Sequence, residues 1–275
     1  MLYQKFTLSE KYPDASLTSY VCDAEPAVAP RPALIVCPGG GYGNLSPREA
    51  EPIVRRFWSE GFNVYLLRYS INDNAKNFAP LIEAALAIKL VRERADKDNS
   101  DPGKVFIMGF SAGGHVAASA GTMWNIPEVR DAVGVTGSLS PEGINRPDGM
   151  ILSYPVITVG EFTHKGSAQR VSGHEILTQE DIDTFSLEKR VDSTTSPAFI
   201  WHTLTDTTVP VQNTIMFINA LLNAGVSFEA HIFPKGPHGL SLCNVETFDN
   251  KEQMIAPHVE CWAELAARWI KDFKK

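Results

Sequence analysis

The chain has 275 residues, 44% hydrophobic and 21% charged, a balance that fits an ordinary globular protein. A folded unit of that length hides roughly three-quarters of the surface of its extended chain, so it needs no disulfide or metal staple. Twenty-five Lys and Arg against 32 Asp and Glu give a net charge of −7 with no basic tract, which excludes a nucleic-acid partner, since such partners require a clustered positive face.

The first ten residues lack the charged start and apolar core of a secretory signal. No apolar run approaches the ~20 residues that span a bilayer, so no membrane partner is expected. Cys22, Cys37, Cys243 and Cys261 are scattered, with no CxxC and no histidine at metal-ligand spacing. They read as buried structural thiols, no metal or other cofactor is expected, and a cytoplasmic location follows as the default.

Short apolar runs alternate with longer amphipathic ones. Segments 5–8 and 17–22 precede any helix signal and predict an antiparallel edge. Residues 33–37 form a buried-strand pattern that stops at Pro38 and three glycines. Ile53, Val54, Phe57 and Trp58 lie at helical spacing within 47–60, with Gly61 as the stop. Strands are predicted at 63–67, 105–108, 150–154, 198–202 and 227–233, with helices opening at Pro80, running over 112–123 and 211–223, and covering 258–273. Strands alternating with helices imply a largely parallel sheet covered on both faces, an α/β class. The whole of 1–275 reads as one domain, interrupted by a polar, cap-like insertion at about 158–196 with scattered short helical signals, including one at 186–190. Insertions of that length in a compact domain are commonly functional.

Gly109-Phe110-Ser111-Ala112-Gly113 lies between a predicted strand and a predicted helix and fits the G-x-S-x-G elbow. There the glycines relieve the crowding of a tight turn while the serine hydroxyl is presented above the sheet. Pro38-Gly39-Gly40-Gly41-Tyr42-Gly43 follows another strand directly. It has no Gly-Lys-Ser/Thr ending and opens no helix, which removes the phosphate-loop readings. It reads as the source of N–H donors that an acyl-transfer oxyanion requires.

A serine needs a base, and the base needs an acid to orient it. Among seven histidines, His238 stands in a Gly-Pro-His-Gly loop just after the last strand, and Asp206 follows the preceding strand. The order Ser111, Asp206, His238 matches the Ser…Asp…His order of hydrolases built on such a sheet. Asp183 and Asp192 compete for the acid role but lie in the insertion, before the strand that should precede the acid. His115, His202, His231 and His258 read as packing or local partners, whereas His164 and His174 lie in the insertion, within reach of a substrate.

Together these motifs resemble the α/β-hydrolase superfamily over nearly the whole chain. Within it, Cys37 to Tyr42, Gly109 to His115, Asp206 with Val209-Pro210, and Pro237-His238-Gly239 are similar to the bacterial acetyl-esterase and acetylxylan-esterase-like branch, related to the hormone-sensitive-lipase group. Pro38 stands where the lipase pattern carries histidine, which directs the resemblance to the acetyl-esterase side. The resemblance implies that the N–H groups of Gly40, Gly41 and Ala112 form the oxyanion hole. The expected activity is cofactor-independent serine carboxylesterase chemistry on short acyl esters, acetyl groups on sugars or xylo-oligosaccharides in particular. Amide hydrolysis by the same residues, a silent hydrolase-like binding protein, and assembly into a homo-oligomer stay open at this point.

Overall fold

The computed structural model describes residues 2–8, 10–11, 13–22, 29–134 and 143–274. Among them, eight strands form one sheet. They are β1 (Leu2–Thr7), β2 (Ser16–Val21), β3 (Arg31–Cys37), β4 (Asn63–Arg68), β5 (Ser100–Phe110), β6 (Gly149–Ser153), β7 (Ala198–Thr203) and β8 (Phe228–Phe233). Their order in space is β1-β2-β4-β3-β5-β6-β7-β8. β2 pairs antiparallel with both β1 and β4, and every later pairing is parallel. The antiparallel edge and parallel body therefore lie where the residues placed them.

The helices are α1 (Glu51–Trp58), α2 (Ala79–Glu93), α3 (Ala95–Asp98), α4 (Ala112–Thr122), α5 (Pro127–Ala132), α6 (Lys165–Ser172), α7 (Gln179–Phe185), α8 (Gln212–Asn223), α9 (Pro257–Glu260) and α10 (Trp262–Lys271). Alternate residues of the central strands face opposite layers, as the two-residue period of a strand requires. Leu34, Val36, Val64, Leu66, Phe106 and Met108 pack with Ile53, Val54 and Phe57 of α1 and with Trp262, Ala266 and Ile270 of α10. Ala33, Ile35, Tyr65, Leu67, Val105 and Ile107 pack instead with Leu81 and Ile88 of α2 and Val116 of α4. Burial on both faces explains why these strands read as continuous apolar runs rather than alternating ones.

Several boundaries differ from the sequence reading. The 47–60 segment splits into a 3-10 turn, Pro47–Glu49, and then α1. The carboxyl-terminal segment is two helices meeting at Cys261, whose neighbour Trp262 is fully buried. α5 carries only Val129 as a buried residue, too little to show a helical period. The insertion holds α6, α7 and a 3-10 turn at Leu187–Lys189; of these short helical pieces the residues give bounds only to the turn, within 186–190. Of the four free cysteines, Cys37 and Cys243 are buried as expected, but Cys22 is half-buried and Cys261 is exposed.

After β3 the chain runs outward to β4 and then crosses to β5 on the other side of β3. Loops leaving β3 and β5 diverge at such a switch point, where open α/β sheets bind their ligands. Here those loops are the glycine loop and the serine elbow. The start of α4 presses so closely on the end of β3 that a Cβ on Gly113 would lie 2.1 Å from the Cys37 carbonyl oxygen and 2.5 Å from that of Pro38. Backbone cannot yield as a flexible side chain would. Gly113→Ala is therefore expected to lower the unfolding free energy by about 3 kcal/mol in urea titrations, at the upper end of overpacking effects. A loss below about 0.5 kcal/mol would show that the approach is not tight.

Candidate active site

Ser111 joins β5 to α4 with φ 53° and ψ −118°, a left-handed conformation that strains a residue with a side chain. A Cβ at Gly109 would stand 2.0 Å from the Gly113 carbonyl oxygen, so the turn closes only without one. Backbone bonds hold it in place. Ser111 N–H donates to the Ser153 carbonyl at 3.0 Å, and the Ser111 carbonyl accepts from His115 at 3.2 Å and Val156 at 3.0 Å.

His238 reaches this serine from the loop after β8. Its Nε2 lies 2.8 Å from Ser111 Oγ and its Nδ1 lies 2.6 Å from Asp206 Oδ2. A carboxylate can only accept, so the proton sits on Nδ1, and Nε2 is left to accept the serine O–H. The loop is tied to the end of β7, where the hydroxyls of Thr203 and Thr205 donate to the Gly236 carbonyl at 2.8 and 3.1 Å. Arg48 Nη2 adds a bond to the Gly239 carbonyl at 2.8 Å. The ring itself packs T-shaped on Tyr154, centroids 5.1 Å apart.

The Asp206 side chain is closed off from solvent. Burial alone would raise its pKa, but hydrogen bonds from His202 and His238, the nearby imidazole charge and the Val209 N–H outweigh it. The carboxyl is held well below the usual carboxylate range. Oδ1 accepts the N–H groups of Thr208 and Val209 at 2.9 and 3.0 Å. His202 Nε2 stands 3.3 Å from Oδ2 and 3.0 Å from the Val209 carbonyl. His202, read from sequence as a strand-packing residue, is thus a buried support of the acid.

The glycine loop folds back on itself, with Gly43 and Asn44 both donating to the Gly40 carbonyl at 2.9 and 3.2 Å. Gly40 has φ 130°, and a Cβ there would meet the Asn44 carbonyl oxygen at 2.1 Å. Tyr69 donates to the Pro38 carbonyl at 2.5 Å. Among the described residues, no acceptor takes the N–H of Gly40, Gly41 or Ala112. Backbone amides left without a protein acceptor are a ready receptor for a developing negative oxygen.

The other candidates separate cleanly. Asp183 pairs with Lys189 and Gln179, Asp192 caps a turn through Thr194, and neither contacts His238. His174 pairs with Asp181, His231 with Glu229, and His258 with the Lys235 carbonyl. His164 caps α6 through its Nδ1 and places Cε1 3.4 Å from where a Gly41 Cβ would stand. Arg170, which the sequence reading did not single out, donates from Nη1 to the Gly41 carbonyl at 3.1 Å. Its residue type and its place in a polar helix carried no signal of that contact. A groove of about 280 Å³ runs beside it, lined by Asn72, Asp73, Lys76, Gln169, Arg170 and Glu175 among others. No group of three or more His, Cys, Asp or Glu among the described residues is gathered as a metal site. No helix among them is long and apolar enough to cross a membrane.

The BD-FAE family matches residues 23–221. The chain belongs to the BD-FAE family. A relative from Butyrivibrio fibrisolvens named endo-1,4-beta-xylanase B is 39% identical, over 79% of this chain and 34% of its own length. An acetylxylan esterase from Xylanibacter ruminicola is 32% identical, over 75% of this chain and 40% of its own. This chain thus spans between a third and about half of the curated relatives it matches. The crystal structure of an acetyl ester-xyloside bifunctional hydrolase from Caldicellulosiruptor lactoaceticus is 36% identical, with a TM-score of 0.78 over 94% of this chain and 87% of that one. The fold is that of the α/β hydrolases.

His115 borders the candidate site, and its side chain bonds to distant segments rather than locally as expected. It is fully buried, bonded through Nδ1 to the Tyr42 hydroxyl at 2.8 Å and through Nε2 to the Phe185 carbonyl at 2.9 Å, and so ties glycine loop, elbow helix and insertion together. Burial lowers its pKa from 6.5 to about 4, with the Phe185 carbonyl opposing the shift. Between those values the unfolded chain takes a proton that the folded chain refuses. The contribution is therefore complete above pH 6.5 and is lost as pH falls toward 4, by about 3 kcal/mol in all. Urea titrations at about pH 7 and about pH 4.5 should show His115→Gln losing less stability on acidification than the parent. Equal losses would remove His115 as the source.

Proposed function

We propose that this chain is a serine carboxylester hydrolase that removes short acyl groups, acetyl above all, from carbohydrate hydroxyls. The observation that carries the reading is the unbroken hydrogen-bonded line Asp206–His238–Ser111, 2.6 and 2.8 Å long, ending on a serine in a strained elbow. His238 Nε2 takes the Ser111 proton as Oγ attacks the acyl carbon, and the negative charge moves onto the former carbonyl oxygen. Gly40, Gly41 and Ala112 donate to that oxygen, each such donor being worth about 3 kcal/mol in comparable acyl-transfer sites. His238 then returns the proton to the departing alcohol. A water, deprotonated by the same nitrogen, releases the acid and restores Ser111. Asp206, already ionised, stabilises the imidazolium formed in both halves without taking its proton.

The carbohydrate part of the proposal rests on the other side of the site. The insertion at 158–196 acts as a cap, bringing His164 and Arg170 against the glycine loop. Since His164 Nδ1 accepts the Ser167 N–H, its Nε2 carries the proton and faces no protein acceptor among the described residues. Arg170 is in no ion pair there and borders the polar groove. Its Nη1 already bonds the Gly41 and Gly166 carbonyls, and the remaining guanidinium donors beside the groove suit a polyhydroxylated leaving group. The acetylxylan esterase and the acetyl ester-xyloside hydrolase among the relatives point the same way.

Ser111→Ala should lower kcat on p-nitrophenyl acetate by about 10⁴-fold or more, and retention of full activity ends the proposal. Among acyl chains from two to twelve carbons, acetyl should be cleaved fastest. Acetylated xylo-oligosaccharides should exceed simple alkyl acetates in kcat/KM, and Arg170→Ala should reduce that advantage about tenfold, the worth of one charged hydrogen bond. A preference for long chains would replace the carbohydrate ester with a lipid one, and faster turnover of amides would move the reading to amide hydrolysis.

A further inference from the structure

Between the glycine loop and the histidine loop lies a buried carboxylate that the proposed reaction does not use. Glu49 ends the 3-10 turn Pro47–Glu49 and is 3% exposed. Its Oε2 accepts the Gly39 N–H at 2.8 Å and its Oε1 accepts the Tyr154 hydroxyl at 2.6 Å. Among the described residues it pairs with no Lys, Arg or His. Removing a carboxylate from water without a cation is strongly unfavourable, and two neutral donors offset only part of that. Filling space does not account for it.

Its two partners belong to opposite halves of the site. Gly39 is wedged between Glu49 and the elbow, since a Cβ there would lie 2.7 Å from Glu49 Oε2, 2.7 Å from the Phe110 carbonyl oxygen and 3.0 Å from Ser111 Cβ. Tyr154 follows β6, is fully buried, and packs T-shaped on His238 at 5.1 Å and on Trp201 at 4.9 Å. The same Tyr154 hydroxyl accepts the N–H of Ser241 at 3.0 Å, three residues beyond His238. Arg48 reinforces the bridge from the neighbouring position, donating to the Gly239 carbonyl at 2.8 Å and accepting the Ser241 hydroxyl on its own carbonyl at 2.7 Å.

We propose that Glu49 is a positioning residue, whose two oxygens clamp the glycine loop directly and the His238 loop through Tyr154, so that oxyanion donors and base address one acyl carbon. The assignment rests on the serine-hydrolase reading. It explains why an acid occupies the position. Gly39 N–H and Tyr154 O–H are both donors aimed inward, and a carboxylate meets both with acceptors. A glutamine has one acceptor oxygen for Gly39 and turns an NH₂ donor toward a tyrosine hydroxyl that already accepts from Ser241. The conservative amide should therefore keep one arm of the clamp and disturb the other.

The test measures p-nitrophenyl acetate kinetics per active site, with sites counted by stoichiometric fluorophosphonate labelling of Ser111. For Glu49→Ala, kcat per labelled site should fall about 10- to 100-fold with KM within about threefold, the penalty of misplacing reacting groups by an ångström or less. Glu49→Gln should recover part of that loss. Tyr154→Phe keeps the ring packing but breaks the link, and should fall close to Glu49→Gln; it also answers the question if Glu49→Ala does not fold. Either Glu49→Gln or Tyr154→Phe with kcat per site within about twofold of the parent overturns the clamp. So does a Glu49→Ala loss that appears entirely as fewer labelled sites, which is the mark of a merely structural residue. A parent protein that neither labels nor hydrolyses the ester overturns the hydrolase reading itself. A labelled, active parent with indifferent variants overturns the clamp alone.

Discussion

The close passage of the serine elbow over the end of β3 is the constraint on which the rest of the site depends. With the Gly113 backbone against the carbonyls of Cys37 and Pro38, and Gly109 against the Gly113 carbonyl, no side chain fits at either position. The serine between them is held at φ 53° by the turn rather than by its own preference. That strain is small beside the packing of a sheet buried on both faces, so the fold can hold it. The same approach sets the glycine loop beside the elbow, so that in the proposed reaction amides leaving β3 and β5 would serve one reacting oxygen.

The electrostatic design follows from that geometry. Asp206 is buried, yet four donors surround it, and its pKa is held low although burial alone would raise it. Its charge fixes the His238 tautomer and leaves Nε2 toward Ser111. His115 works in the opposite sense, kept neutral by burial so that it can bridge Tyr42 and Phe185. Through it the insertion is fastened to the elbow helix, and Phe185 itself belongs to the core beneath α2. What reads in sequence as a polar excursion is therefore anchored at the centre of the site.

The largely parallel sheet, its antiparallel edge and the three loops were legible because each is written locally, in apolar runs, glycines and chain order. Ser111, Asp206 and His238 come together as their spacing along a parallel sheet demands. The support around them was not legible, for a physical reason. Glu49, Tyr154, His202, Arg170 and Arg48 act through contacts between segments far apart in the chain, and none sits in a motif. His115 showed its burial but not its partners, which lie about seventy residues away on either side. α5 and the break at Cys261 were missed because one buried residue and one turn leave no period to read. The two helices of the insertion were obscured by their polarity, since a mostly polar helix has little apolar stripe to betray it.

The central claim is that Ser111 carries the acyl group between the two halves of the reaction. Rapid quenching of the protein with an activated acetyl ester, followed by peptide mass mapping, tests it directly. The prediction is one acetyl group per chain on Ser111, formed at the rate of alcohol release and absent when His238 is replaced by alanine. Ester turnover at an undiminished rate with no acetyl group on Ser111, or with the group on another residue, would contradict it.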